Sequence, residues 1–75
     1  MPLCEFGEAV RRARAKAGVT QEGLAEKAGI DRSYIGGVER GERNPTLVVI
    51  CKIAGGLNLA LPDLFSYDKI RRSGG

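Results

Sequence analysis

Residues 21–38 read QEGLAEKAGIDRSYIGGV, two short segments of helical apolar spacing that meet at Gly29-Ile30-Asp31. In the first, Leu24, Ala25 and Ala28 make a narrow apolar stripe, Thr20 stands as N-cap before Gln21, and Gly29 stops the run. Gly23 occupies the place where a glutamate would complete a capping box, so this start is weaker than a full box would make it. In the second, Asp31 is the cap, Ile35 and Val38 form the buried side, and Gly41 closes the helix. Arg32, Ser33, Gly36 and Gly37 then face elsewhere. Ala25 is small enough to let two steeply crossed helices touch. Gly29 enters the left-handed turn conformation that costs other residues roughly 1 kcal/mol or more. The stretch therefore predicts a compact, strongly angled pair of helices.

Helical spacing continues on both sides. Upstream, Phe6, Val10, Ala13 and Ala17 step by four, three and four, placing Arg11, Arg12 and Lys16 outward on a first helix. Downstream, Pro45 bars continuation, Thr46 is a third cap, and Leu47, Ile50, Ile53, Ala54 and Leu57 trace a fourth helix that frays at Gly55-Gly56. The β-branched run from Leu47 to Cys51 also fits a buried strand, but no second strand is at hand to pair with it, and the cap at Thr46 favours helix. A short last helix, Leu61 to Phe65, covers the core with Leu64 and Phe65. The expected fold is all-α, five helices and no sheet. One domain is expected over about residues 3–68, followed by a short basic, glycine-rich tail over 69–75 that is expected to be disordered.

Composition limits what such a domain does. Seventy-five residues, 43% of them hydrophobic but with two Tyr, two Phe and no Trp, build a thin core, so a second subunit is the first candidate for added stability. Histidine is absent, no phosphate-loop motif or C-x-x-C cluster occurs, and no nucleophile and base pair stands out; the chain is expected not to be an enzyme and to use no cofactor or metal. Cys4 and Cys51 read as free thiols of a reducing compartment rather than as a disulfide framework. No apolar run approaches the roughly 20 residues of a membrane span, and Glu5 and Glu8 interrupt any signal-peptide-like stretch. A cytoplasmic protein without membrane contact or small-molecule substrate is expected. The net charge of +3 is compatible with a polyanionic partner, and the placement of the charges must decide.

The offsets of Leu24, Ala25, Ala28, Gly29, Ile30, Ile35 and Val38 meet the steric demands of a DNA-binding helix-turn-helix. Residues 19–47, VTQEGLAEKAGIDRSYIGGVERGERNPTL, resemble the phage Cro/CI-type (XRE) repressor-domain family, and the resemblance runs from about Phe6 to Phe65. The part DRSYIGGVERGERN is especially similar to the small controller proteins of restriction-modification systems. This resemblance implies a lambda-repressor-like five-helix domain, a homodimer, and transcriptional regulation through a pseudo-palindromic operator in double-stranded DNA. It also implies roles. Gln21 touches the DNA backbone at a helix N-terminus. Arg32 and Ser33 read base edges, Arg32 by a bidentate contact to guanine. Tyr34 sends its hydroxyl toward a phosphate, and Arg43 and Asn44 contact the backbone or flanking bases. Arg14 and Glu39 match positions that pair inside the protein, and lie outside the proposed site.

Structural readings stand beside several of these. Gln21 also fits a solvated first-turn residue, Tyr34 a packing residue, and Arg40 either a cation at a helix C-terminus or a phosphate contact. Gly37 lies mid-helix on the DNA-facing side, where it either permits close approach or leaves a base unread. Val48 and Val49, with Leu59, Leu61 and Phe65, form a candidate dimer seam. The same surface suits an alternative function, a protein-interaction module such as an antitoxin-like subunit.

Overall fold

The computed structural model of the chain describes residues 3–66, with side chains from Glu5 onward. The expectation for the tail at 69–75, the end of the domain at 67–68 and the side chain of Cys4 therefore fall outside the described residues. Four helices follow one another: α1 (Leu3–Ala17), α2 (Gln21–Ala28), α3 (Arg32–Glu39) and α4 (Leu47–Gly56). A fifth, α5, occupies residues 61–66. No strand occurs among the described residues. The run from Leu47 to Cys51 is thus helical, its first turn fixed by the Thr46 hydroxyl accepting from the Val49 N–H at 3.3 Å. No helix is long and apolar enough to cross a membrane among the described residues.

One core joins all five helices. Phe6, Val10 and Ala13 of α1, Leu24 and Ala25 of α2, Ile35 and Val38 of α3, Ile53 and Ala54 of α4, Leu57 and Leu64 are all buried together. Phe65 tilts onto Phe6 with ring centroids 5.8 Å apart, closing the end of the core where α5 meets α1. Two expected members are absent. Ala17 is exposed, because α1 overruns the core by a turn, while Ala9 takes a fully buried place. Leu47 is also exposed at the first turn of α4, and Arg12, expected outward, is half-buried along α1.

The end of α4 corrects the expectation of fraying at Gly55-Gly56. The helix runs through both glycines, Leu57 caps it, and the left-handed turn falls on Asn58 at φ 59°, a residue type that tolerates this region. Gly56 is retained in the helix by packing. A β-carbon there would lie 2.9 Å from Leu24 Cδ1 and 3.3 Å from the Ala28 backbone nitrogen, so its absence lets α4 lie close against α2. Gly7 does the same between α1 and α3. Its missing β-carbon would sit 2.2 Å from the carbonyl oxygen of Val38 and 2.6 Å from that of Glu39.

Candidate nucleic-acid interface

The turn between α2 and α3 is built from local hydrogen bonds. Gly29 adopts φ 71°, ψ 36°, which lets the Ile30 N–H reach back to the Ala25 carbonyl at 2.9 Å and satisfies the end of α2. The chain then extends at Asp31, whose carboxylate accepts the Ser33 N–H at 3.0 Å and also the Ser33 hydroxyl. The Ser33 hydroxyl, its amide and the nearby Arg32 charge all hold the Asp31 carboxyl below its usual range, the hydroxyl most. The cap is therefore complete above the ordinary carboxylate pKa of about 3.9 and is lost as pH falls through the lower folded value. Acid titration followed by circular dichroism is expected to show that Asp31→Asn, which still caps but does not titrate, removes part of the stability loss below about pH 4. An unchanged acid slope would refute this.

At the last turn of α3 lies a buried polar cluster that ties the helix to its neighbours. Glu39 has only 4% of its side chain exposed and meets Arg14 of α1 in a two-pronged pair, Nε to Oε2 at 2.7 Å and Nη2 to Oε1 at 3.0 Å. Arg14 Nη1 donates further to the Val19 carbonyl at 3.1 Å, and the Gln21 amide donates to Glu39 Oε1 at 2.9 Å. Donating to the Glu39 carboxylate holds the Arg14 guanidinium above its ordinary range although burial opposes this. Three helices are thereby tied at one carboxylate. The Arg14–Glu39 pairing implied by the resemblance is present, and the part of Gln21 in it had no signal in the sequence.

The first turn of α3 and the loop that follows the helix are open. Arg32 and Ser33 are exposed in its first turn, Tyr34 is half-buried against the core, and Arg43 and Asn44 are exposed in the loop that follows α3. The Arg43 guanidinium lies over the Tyr34 ring, 5.6 Å from its centroid, so loop and helix share a contact. Neither Arg32 nor Arg43 forms an ion pair with a described residue. Arg40, by contrast, caps α3 and pairs with Glu42 at 3.1 Å. Five of the six expected site residues, Arg32, Ser33, Tyr34, Arg43 and Asn44, belong to the first turn of α3 and the loop that follows the helix. Gln21 sits at the start of α2, with its amide turned to Glu39. On α1, Arg11 and Arg12 pair with Glu8 at 3.2 and 3.1 Å, the ordinary i,i+3 and i,i+4 pairing along a helix.

The expected dimer seam divides. Val49, Leu59, Leu61 and Phe65 pack onto the core of their own chain, whereas Val48 is 65% exposed and Leu47 beside it 68%. Cys51, a free thiol one turn further on, shares their face.

Known proteins share this arrangement. The helix-turn-helix family profile matches residues 10–64. The control protein C.SmaI of Serratia marcescens is 41% identical over 70 residues, covering 93% of this chain and 83% of that protein. The crystal structure of the restriction-modification controller protein C.AhdI from Aeromonas hydrophila superposes with a TM-score of 0.81 at 48% identity, over 83% of this chain and 94% of that one. The controller protein C.Esp1396I, as a tetramer in complex with its natural 35 base-pair operator, gives a TM-score of 0.84 at 34% identity, over 91% of this chain and 90% of that one.

Proposed function

The chain belongs to the helix-turn-helix family of transcriptional regulators, and from that premise we propose that it is a cytoplasmic homodimer that binds a pseudo-palindromic operator, as a controller of the restriction-modification type. One observation carries this reading. Arg32 stands exposed, with no ion pair to a described residue, in the first turn of a helix whose last turn is tied to its two neighbours by the Arg14–Glu39–Gln21 cluster. A guanidinium presented in this way matches the two acceptors of guanine in the major groove. Tyr34, Arg43 and Asn44 flank it and hold the register on phosphates. Ser33 serves first as a partner of the Asp31 cap, and its hydroxyl reads bases only as far as that bond allows. Gln21 joins the DNA backbone from the start of α2, where the helix dipole favours phosphate.

The role is one of binding rather than catalysis, and it calls for no cofactor. A single subunit offers few base contacts, and pairing two doubles them on one site. Leu47 and Val48 are the large hydrophobic side chains left exposed among the described residues, and a second copy of the chain is the partner that covers them.

In a binding assay on a duplex selected by the native chain, Arg32→Ala is expected to lose preference at one base pair per half-site. The expected loss there is about 1–3 kcal/mol, or roughly 5- to 150-fold. Unchanged base preference at every position would remove Arg32 from the reading role.

A further inference from the structure

Gly37 lies in the middle of α3, where glycine weakens a helix relative to alanine. Its backbone is ordinary helix, outside the positive-φ positions, so conformational freedom does not account for it. What lies above it does. A β-carbon on Gly37 would stand 2.6 Å from Arg43 Cγ, 3.4 Å from Nε and 3.6 Å from Cδ. The stem of Arg43 thus runs directly across the bare α-carbon, and its guanidinium continues to the Tyr34 ring. Tyr34 and Gly37 are three residues apart on α3 and so share one helix face. Gly37 is buried although Arg43, which covers it, is itself exposed.

We infer that Gly37 is a positioning residue for DNA recognition, its missing side chain being the seat that holds Arg43 down over Tyr34 so that loop and helix meet DNA as one preformed surface. The inference rests on the reading of α3 as the helix that enters the groove. A free arginine in an exposed loop must be ordered when it binds, which lowers affinity. Seated on Gly37 and stacked on an aromatic ring, Arg43 has that order beforehand. Helix stability given up at Gly37 is exchanged for a fixed loop contact.

Since a side chain at position 37 would displace only a flexible arginine, Gly37→Ala is expected to fold with stability equal to or above that of the native chain. In the free protein, proton NMR of the native chain is expected to show Arg43 Hγ and Hδ signals shifted upfield by the Tyr34 ring. Gly37→Ala abolishes this shift. The neighbouring Gly36→Ala, whose new methyl approaches the Arg40 tip at 3.1 Å and Gln21 Oε1 at 3.7 Å but not Arg43, retains it. On a duplex selected by the native chain, Gly37→Ala is expected to bind about three- to tenfold more weakly. Arg43→Ala added to it should then change little, because the two act through one contact. The seat is refuted if Gly37→Ala fails to fold, keeps the upfield shift, loses the shift at unchanged affinity, or adds independently to Arg43→Ala. A native chain that selects no duplex contradicts the DNA reading instead, and the NMR comparison of the free proteins still decides whether Gly37 seats Arg43.

Discussion

Arg14→Ala is expected to remove a large fraction of the stability of the protein, about 3–5 kcal/mol. The substitution leaves the Glu39 carboxylate, 4% exposed, with the Gln21 amide as its remaining hydrogen-bond donor. Leaving a buried charge without its partner costs about 3–5 kcal/mol, because the lost Coulomb attraction and hydrogen bonds are not replaced by water. A 75-residue domain has of the order of 4–11 kcal/mol to lose in total. The reverse substitution is milder. In Glu39→Ala the guanidinium left behind is already 18% exposed, keeps its bond to the Val19 carbonyl, and has a long stem with which to reach solvent. Urea denaturation of the two variants measures the asymmetry. A loss below about 1 kcal/mol in Arg14→Ala, the level of a surface pair, would contradict the account of the cluster.

Gly7→Ala is expected to destabilise by about 1–3 kcal/mol or more, although alanine is the better helix former. All three of the nearest atoms to the added methyl, at 2.2, 2.6 and 2.8 Å, are backbone atoms of Val38 and Glu39, so no side-chain rotation relieves the clash. The helices α1 and α3 must separate, and Glu39 moves away from Arg14 as they do. Gly55→Ala calibrates the effect, since a β-carbon there meets nothing within 4 Å and α4 simply gains helix propensity, roughly 0.5–1 kcal/mol. The three alanine substitutions at positions 7, 37 and 55 should therefore differ in sign according to what stands above each glycine. Chemical denaturation compares them directly, and a Gly7→Ala variant as stable as the native chain would show that α1 and α3 are not in close contact.

What was legible in the sequence was the chemistry that acts over a few residues. Thr20, Asp31 and Thr46 cap the helices expected of them, Gly29 takes the left-handed turn, and the apolar spacing around Leu24, Ile35 and Ile53 finds the core. Gly55-Gly56 misled for a physical reason. Two glycines ordinarily end a helix, but here the close contact of Gly56 with Leu24 and Ala28 holds them in it, and the stop passes to Asn58. Leu47 misled because periodicity marks a face without saying how far the core extends along it.

The candidate site was legible in part. The exposed first turn of α3 follows from its cap and its apolar face, whereas the functions of Gly7 and Gly37 depend on which backbone or side chain passes over them, and no spacing rule contains that. A glycine inside an otherwise good helix was the one available hint, since its cost asks for a packing reason. The tie from Gln21 to Glu39 was hidden for the same cause. It joins α2 to α3 through a residue whose own neighbours mark it only as a first-turn polar group.

These elements make one mechanical unit. The Arg14–Glu39–Gln21 cluster ties the last turn of α3 to α1 and α2, Asp31 and Gly29 fix its entry, and Arg32 is held exposed in its first turn. Selection from a pool of randomised duplexes by the purified native chain tests that unit most directly. The account predicts enrichment of an inverted repeat, with a guanine in each arm and arm centres about one helical turn, ~34 Å, apart. Recovery of an unrepeated sequence, or a pool no different from the starting one, would contradict it.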